Sequence, residues 1–324
     1  MRPAWHTFEV STRVEIVSPG GVSRAWIPIP PAAGIDWQRR AERVVIRGNA
    51  ETRVVDGPGP SHVVATWVDD EPAPGVEVVV RVATRARAPG EQVAPATAAD
   101  RAEALVPSRW IRTDGIVSTT AARVSAGAAS DLERARRIYD WVVDNTFRDP
   151  AVRGCGPGDV CALLESRRLG GKCADLNGLF VGLARAAGVP AREWYGLRLG
   201  TETPVGSGAR DVTRFQHCRA EFHADGAGWV SVDPSDVRKF VLDQGDPPLD
   251  DPRVQRVREE LFGSAPANWI AYNHAHDVRL PDAPGPALPY FLVPAVHTGG
   301  AWRDALDPER VAYAITARPV EGGE

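Results

Sequence analysis

The stretch Leu169-Gly170-Gly171-Lys172-Cys173-Ala174-Asp175-Leu176-Asn177 decides how this chain is read. Beyond it, Leu176, Leu179, Phe180, Leu183, Ala184 and Ala187 recur at helical spacing. Gly188 supplies a stop and Pro190 forbids continuation. The pattern predicts a helix from about Lys172 to about Ala187, with Cys173 in its first turn. Unpaired N–H groups and the positive end of the helix dipole stabilise a thiolate placed there. Cys173 shares a face with Leu176, Phe180 and Ala184, so its sulfur points toward whatever the helix packs on. Gly170 and Gly171 let backbone approach a substrate closely. A buried structural cysteine is the competing reading, because cysteine packs as a small hydrophobe.

Downstream, Phe215–Phe222 and Trp229–Asp233 read as two strands around a turn containing Asp225-Gly226. A three-residue loop over Ala224-Asp225-Gly226, with Gly226 left-handed, sets a register. It places His217 directly opposite Asp233 and Glu221 opposite Trp229. A cysteine nucleophile needs a base to take its proton, and the base needs an orienting acceptor. The hairpin supplies both. His223 is the rival base, but the loop is expected to carry it toward solvent.

These segments resemble the transglutaminase-like superfamily. The likeness rests on Gly171-Lys172-Cys173-Ala174-Asp175, on Leu183–Arg192, on His217–Phe222 and on Gly228–Pro234, in the order Cys, His, Asp. It is strong over about residues 130–240 and looser at Trp269–Val278 and the final strand. The resemblance implies an α+β, papain-like core, a helix against antiparallel sheet, with Cys173, His217 and Asp233 as the catalytic triad. It also implies acyl transfer or hydrolysis at an amide or thioester through a Cys173 thioester, on a peptide, protein or carrier-bound acyl substrate. Such chemistry requires no metal or organic cofactor. The other class is a non-catalytic scaffold of the same fold that binds peptide or protein.

The first part of the chain is strand-rich. Phe8, Val10, Thr12, Val14 and Ile16 alternate with polar residues, and Val44–Ile46, His62–Val68 and Val76–Thr84 follow between Gly-Pro turns. Residues 85–107 read as a connector rich in Ala, Pro and Arg. Ser130-Asp131-Leu132-Glu133 is a capping box opening a helix with Leu132, Ala135, Ile138, Tyr139 and Val142 on one stripe, and a shorter helix covers Gly158–Arg167. The expected division is a β-rich domain over 1–100, a catalytic core over 101–245, and a C-terminal extension over 246–324 packing on the core.

Bulk composition narrows the partners. A formal net charge of −4 argues against nucleic acid or an anionic membrane bound through charge. No run approaches the roughly 18 apolar residues of a spanning helix. The first residues lack a secretory h-region, so a cytoplasmic location is expected, although many bacterial proteins of this resemblance are exported. Cys155, Cys161, Cys173 and Cys218 form no C-x-x-C pair, which weakens a zinc reading. Strand alternation sends Cys218 to the face opposite His217, where it reads as core packing, and Cys155, in a Gly-rich loop, reads as a free thiol, with a redox partner for Cys173 as the alternative. Besides Gly171 and Lys172, candidate substrate contacts are Trp194, Trp229 and Trp269, with Tyr195 beside them; core packing is the alternative. Arg192 and Glu221 are a possible brace, and His274, His276 and Asp277 have a metal-like look without a further ligand.

Overall fold

The computed structural model describes residues 3–17, 19–57, 59–68, 71–91, 96–200 and 208–320. The fold is α+β with antiparallel sheets, as the residue patterns and the resemblance imply. The described chain divides into two compact units. One comprises residues 1–86, 195–216 and 266–324, and the other residues 87–194 and 217–265.

The first unit is built from two antiparallel sheets. In one, the long strand Trp5–Ile16 lies between Val311–Val320 and Gly75–Arg85, in register Val10↔Ala317 and Val10↔Val80. Alternation makes this strand: Phe8, Val10, Val14 and Ile16 are buried while Arg13 and Glu15 are exposed. In the other, Ser23–Pro28 lies between His62–Trp67 and Ala295–Thr298. The C-terminal segment therefore departs from its expected place. Its residues 246–265 stay with the helical unit, but Ala295–Thr298, Ala301–Arg303 and Val311–Val320 complete the sheets begun at the N-terminus. Sequence distance hid this, because a strand can join a sheet from either end of a chain. The connector contains a short helix, Ala98–Glu103, capped by Thr97; its residues 92–95 lie outside the described residues.

The second unit surrounds one helix, Cys173–Ala186, within a residue of the expected bounds. Every residue from Cys173 to Arg185 is buried. A helix buried all round is a core element, not an amphipathic surface one. Around it pack Gly115–Val124, Asp131–Asn145, Val160–Glu165 and Pro234–Asp243. Phe180 meets Phe222 of the strand Gln216–Ala224, with ring centroids 6.1 Å apart. Gly178 and Gly182 keep this helix slim: a Cβ at Gly182 would stand 3.1 Å from Val160.

Asp131–Asn145 begins as expected, with the Ser130 hydroxyl accepting the Glu133 N–H. The return bond is shifted, because the Glu133 carboxylate accepts from Ala129 instead of Ser130. Ala135, Ile138, Tyr139 and Val142 are buried, but Leu132 is 43% exposed and does not belong to the stripe. No helix among the described residues is long and apolar enough to cross a membrane.

Candidate active site

Cys173 opens the central helix and is 1% exposed. Two features hold it there. The Asp175 carboxylate accepts from the backbone N–H of Lys172 at 2.8 Å and of Gly158 at 2.9 Å. It thereby ties the helix start to the loop carrying Cys155, whose carbonyl accepts the Ala174 N–H at 2.9 Å. Burial raises the Asp175 carboxyl to about 6, against those two N–H donors. Gly171, expected to admit substrate, instead admits Asp175, because a Cβ there would stand 2.5 Å from the Asp175 Cβ. Lys172 serves through its backbone as the residue that caps this helix.

His217 and Asp233 come from the expected hairpin, but its register differs by two residues. The loop is Asp225-Gly226-Ala227, and Glu221 pairs with Ser231 and His223 with Trp229. Extending that register sets Arg219, not His217, opposite Asp233. A shift of two preserves the face, so His217 reaches Asp233 diagonally: Nε2 lies 2.7 Å from Oδ2. Gly226 is left-handed as expected, and Gly228 is too; the loop keeps three residues but lies one residue further along the chain, which moves the pairing by two.

The strand ends at Val232, and Asp233 also caps the helix Pro234–Asp243, accepting the Asp236 N–H at Oδ1. Asn177, one turn after Cys173, donates to the same Oδ1 at 3.2 Å and to the Cys218 carbonyl at 2.8 Å. Arg219 Nη1 stands 3.3 Å from Asp233 Oδ2. Asp236 Oδ2 lies 3.5 Å from His217 Nε2. The fully buried carboxylate is thus held on both oxygens. An ionised carboxylate only accepts, so His217 carries its proton on Nε2, and Nδ1 is left as the basic nitrogen.

Hydrogen bonds from Cys155, then from Cys218, bring the Cys173 thiol well below its ordinary range; burial opposes them and His217 adds to them. The sulfurs of Cys155, Cys173 and Cys218 all lie within 4.8 Å of one another. Cys218, expected as core packing, brings its sulfur within 4.8 Å of the Cys173 sulfur, so it belongs to the site and not merely to the core. The spacing rule for C-x-x-C pairs could not see this, since the three cysteines come from a loop, a helix start and a strand.

The remaining candidates sort clearly. Trp194 and Trp229 belong to a buried brace: Glu221 accepts from Trp194 Nε1 at 2.7 Å, from Arg87 Nη1 at 2.7 Å and from Arg192 Nε at 2.5 Å. Arg87 Nη2 also donates to the Trp229 carbonyl, and the Arg192 guanidinium lies 4.0 Å over the Trp229 ring. Burial alone would raise Glu221, but Arg192 and Arg87 bring it down to about 2. Trp269 belongs to the first unit, stacked on Trp37 at 5.6 Å. His223 does not turn to solvent; it is buried with its ring edge-on to Trp229. In the first unit, His276 Nδ1 lies 3.0 Å from the Tyr195 hydroxyl. Among the described residues, ligand atoms converge at Cys155–Cys173–Cys218 and at His217–Asp233–Asp236, and not at His274, His276 and Asp277.

Sequence reasoning passed over Asn177, Arg219 and Asp236. Each carried a signal. Asn177 is four residues from Cys173 on one helix face, Arg219 shares the strand face of His217, and Asp236 lies in the first turn after Asp233.

Three findings from known proteins bear on this geometry. Residues 118–234 match the family model described as the transglutaminase-like superfamily. An uncharacterized protein of Haemophilus influenzae is 34% identical over an alignment of 341 positions, covering 97% of this chain and 91% of that one. A crystal structure titled as a "Putative Cysteine Protease" from Cytophaga hutchinsonii superposes with a TM-score of 0.60 at 12% identity, covering 100% of this chain and 94% of the other. That last likeness is one of fold.

Proposed function

The chain belongs to the transglutaminase-like superfamily, and on that footing we propose that it is a cysteine-dependent acyl-transfer or amide-hydrolysing enzyme with Cys173, His217 and Asp233 as its catalytic residues. One observation carries the reading. A buried thiol at a helix start has its pKa lowered in part by a histidine whose Nε2 is held by a buried carboxylate at 2.7 Å.

The chemistry follows from the charges. Cys173 gives its proton to His217 Nδ1, and the thiolate attacks an acyl carbonyl carbon. As the tetrahedral intermediate collapses, the carbonyl-to-leaving-group bond breaks and His217 hands the proton to the departing amine or thiolate. A thioester on Cys173 remains. His217 then takes a proton from water or an incoming amine, whose attack releases the acid or amide and returns the thiolate. Asp233 fixes the tautomer throughout. The Cys173 backbone N–H is the proposed oxyanion donor, because the adjacent Ala174 N–H is committed to the Cys155 carbonyl. The substrate class proposed is a peptide, protein or carrier-bound acyl group.

Intact-mass screening with peptide, amide and thioester donors tests this. An acyl adduct on the wild-type chain that is absent from Cys173→Ala supports it, and full turnover by Cys173→Ala overturns it. A second reading, a non-catalytic scaffold, is favoured by the near-complete burial of Cys173. Iodoacetamide separates the two: an activated thiolate labels faster near neutral pH than an ordinary thiol, and a scaffold cysteine does not.

A further inference from the structure

We infer that Cys155, Cys173 and Cys218 form a binding site for one thiophilic d10 cation, zinc being the common case, whose occupancy withdraws the nucleophile from use. The binding stands on the three sulfurs; its effect on turnover rests on Cys173 being the nucleophile.

Three sulfurs from separate elements meet within 4.8 Å of one another, and all three residues are buried. Zinc–sulfur bonds of about 2.3 Å place the sulfurs of a tetrahedral site about 3.8 Å apart, so the cluster needs at most a modest contraction. Soft thiolates select such cations over magnesium or calcium. The backbone around the cluster is already fixed, by Ala174 to the Cys155 carbonyl and by Asn177 to the Cys218 carbonyl. Three protein ligands leave a fourth position, and the His217 ring stands beside the same thiol. Its Nε2 bond to Asp233 has the form in which carboxylates orient metal-binding histidines. Each protonated thiol loses its proton as its sulfur bonds the ion, so binding releases protons.

A packing cluster and a metal site make different predictions. Cadmium is the probe, because its thiolate complexes absorb in the ultraviolet by sulfur-to-metal charge transfer. Titrated into the fully reduced chain, cadmium is expected to give this band and saturate at one ion per chain. Cys155→Ala and Cys218→Ala should each weaken binding by roughly 100-fold or more, since even outer partners of a metal site contribute on the order of 10–100-fold. Carbamidomethylation of Cys173 in the wild-type chain, which needs no core substitution, should abolish binding. Zinc should slow iodoacetamide labelling of Cys173, and EDTA should restore it.

Failure of the reduced chain to bind one cadmium ion saturably would overturn the inference. So would binding that survives both alanine substitutions. Slow labelling of metal-free Cys173 together with intact cadmium binding would instead sink the catalytic reading and leave the metal site standing.

Discussion

Asn177 Nδ2 and Asp233 Oδ1 lie 3.2 Å apart, and the same amide group donates to the Cys218 carbonyl. One side chain on the helix that begins at Cys173 therefore ties that helix to the strand carrying His217 and to the end of its partner. Removing it leaves a buried carbonyl and a buried carboxylate short of a donor, at about 1–3 kcal/mol. Asn177→Ala should lower stability by that order. Asn177→Asp should cost more, because it sets a second carboxylate against Asp233 without water to screen them. Chemical denaturation of both variants checks the ranking; equal losses would mean that the amide only fills space.

Asp233→Asn tests the tautomer argument separately from packing. The amide can turn its NH2 toward His217, which then accepts at Nε2 and carries its proton on Nδ1. A protonated Nδ1 cannot take the thiol proton. The rate of Cys173 alkylation near neutral pH, and any turnover, should fall on the order of 10²–10⁴-fold, the range of a lost general base. Near wild-type rates would show that Asp233 acts only as the cap of Pro234–Asp243.

Much of this site was legible because its signals are local. The helix start, its stop at Gly188 and the parity of the two strands follow from spacing within one element. The pairing of His217 with Asp233 survived a register error because the error was even; a shift of one would have turned them to opposite faces. What stayed hidden depends on long-range contacts. Cys155 reaches Cys173 through a loop pinned by Asp175, and Cys218 reaches it from a strand more than forty residues further on. The strands Ala295–Thr298 and Val311–Val320 pair with partners about 270 to 310 residues earlier. No period within a window reports such a pairing.

Gly156 and Gly188 are both left-handed, with φ of 94° and 81°, but only one is crowded. A Cβ at Gly156 would stand 1.9 Å from Asp175 Oδ2, whereas nothing lies within 4 Å of one at Gly188. Gly188→Ala should cost only the backbone penalty, about 1–2 kcal/mol. Gly156→Ala should cost several times that, because Asp175 is anchored by two N–H groups and cannot give way. In an Asp175→Ala background the excess should disappear. A double-mutant cycle by denaturation reads this directly; an unchanged Gly156→Ala cost in that background would place the strain elsewhere.

Glu221 makes the acid limb of stability specific. Its folded value of about 2 lies below its ordinary 4.5, so the unfolded chain takes up its proton first as pH falls. The stability it contributes is complete above pH 4.5 and is lost as pH drops through 2. A shift of that size corresponds to about 3 kcal/mol, and the carboxylate is buried enough that solvent does little to screen it. Glu221→Gln removes the titrating group and leaves Arg87 and Arg192 facing a neutral amide. The variant should be less stable than wild type at pH 7 by a few kcal/mol, since breaking a buried ion pair strands its partners. It should also lose less stability than wild type between pH 4.5 and 2, so the two curves converge. Urea midpoints measured across that window decide the matter. Parallel curves would mean that the brace under Trp194 and Trp229 holds through packing and not through charge.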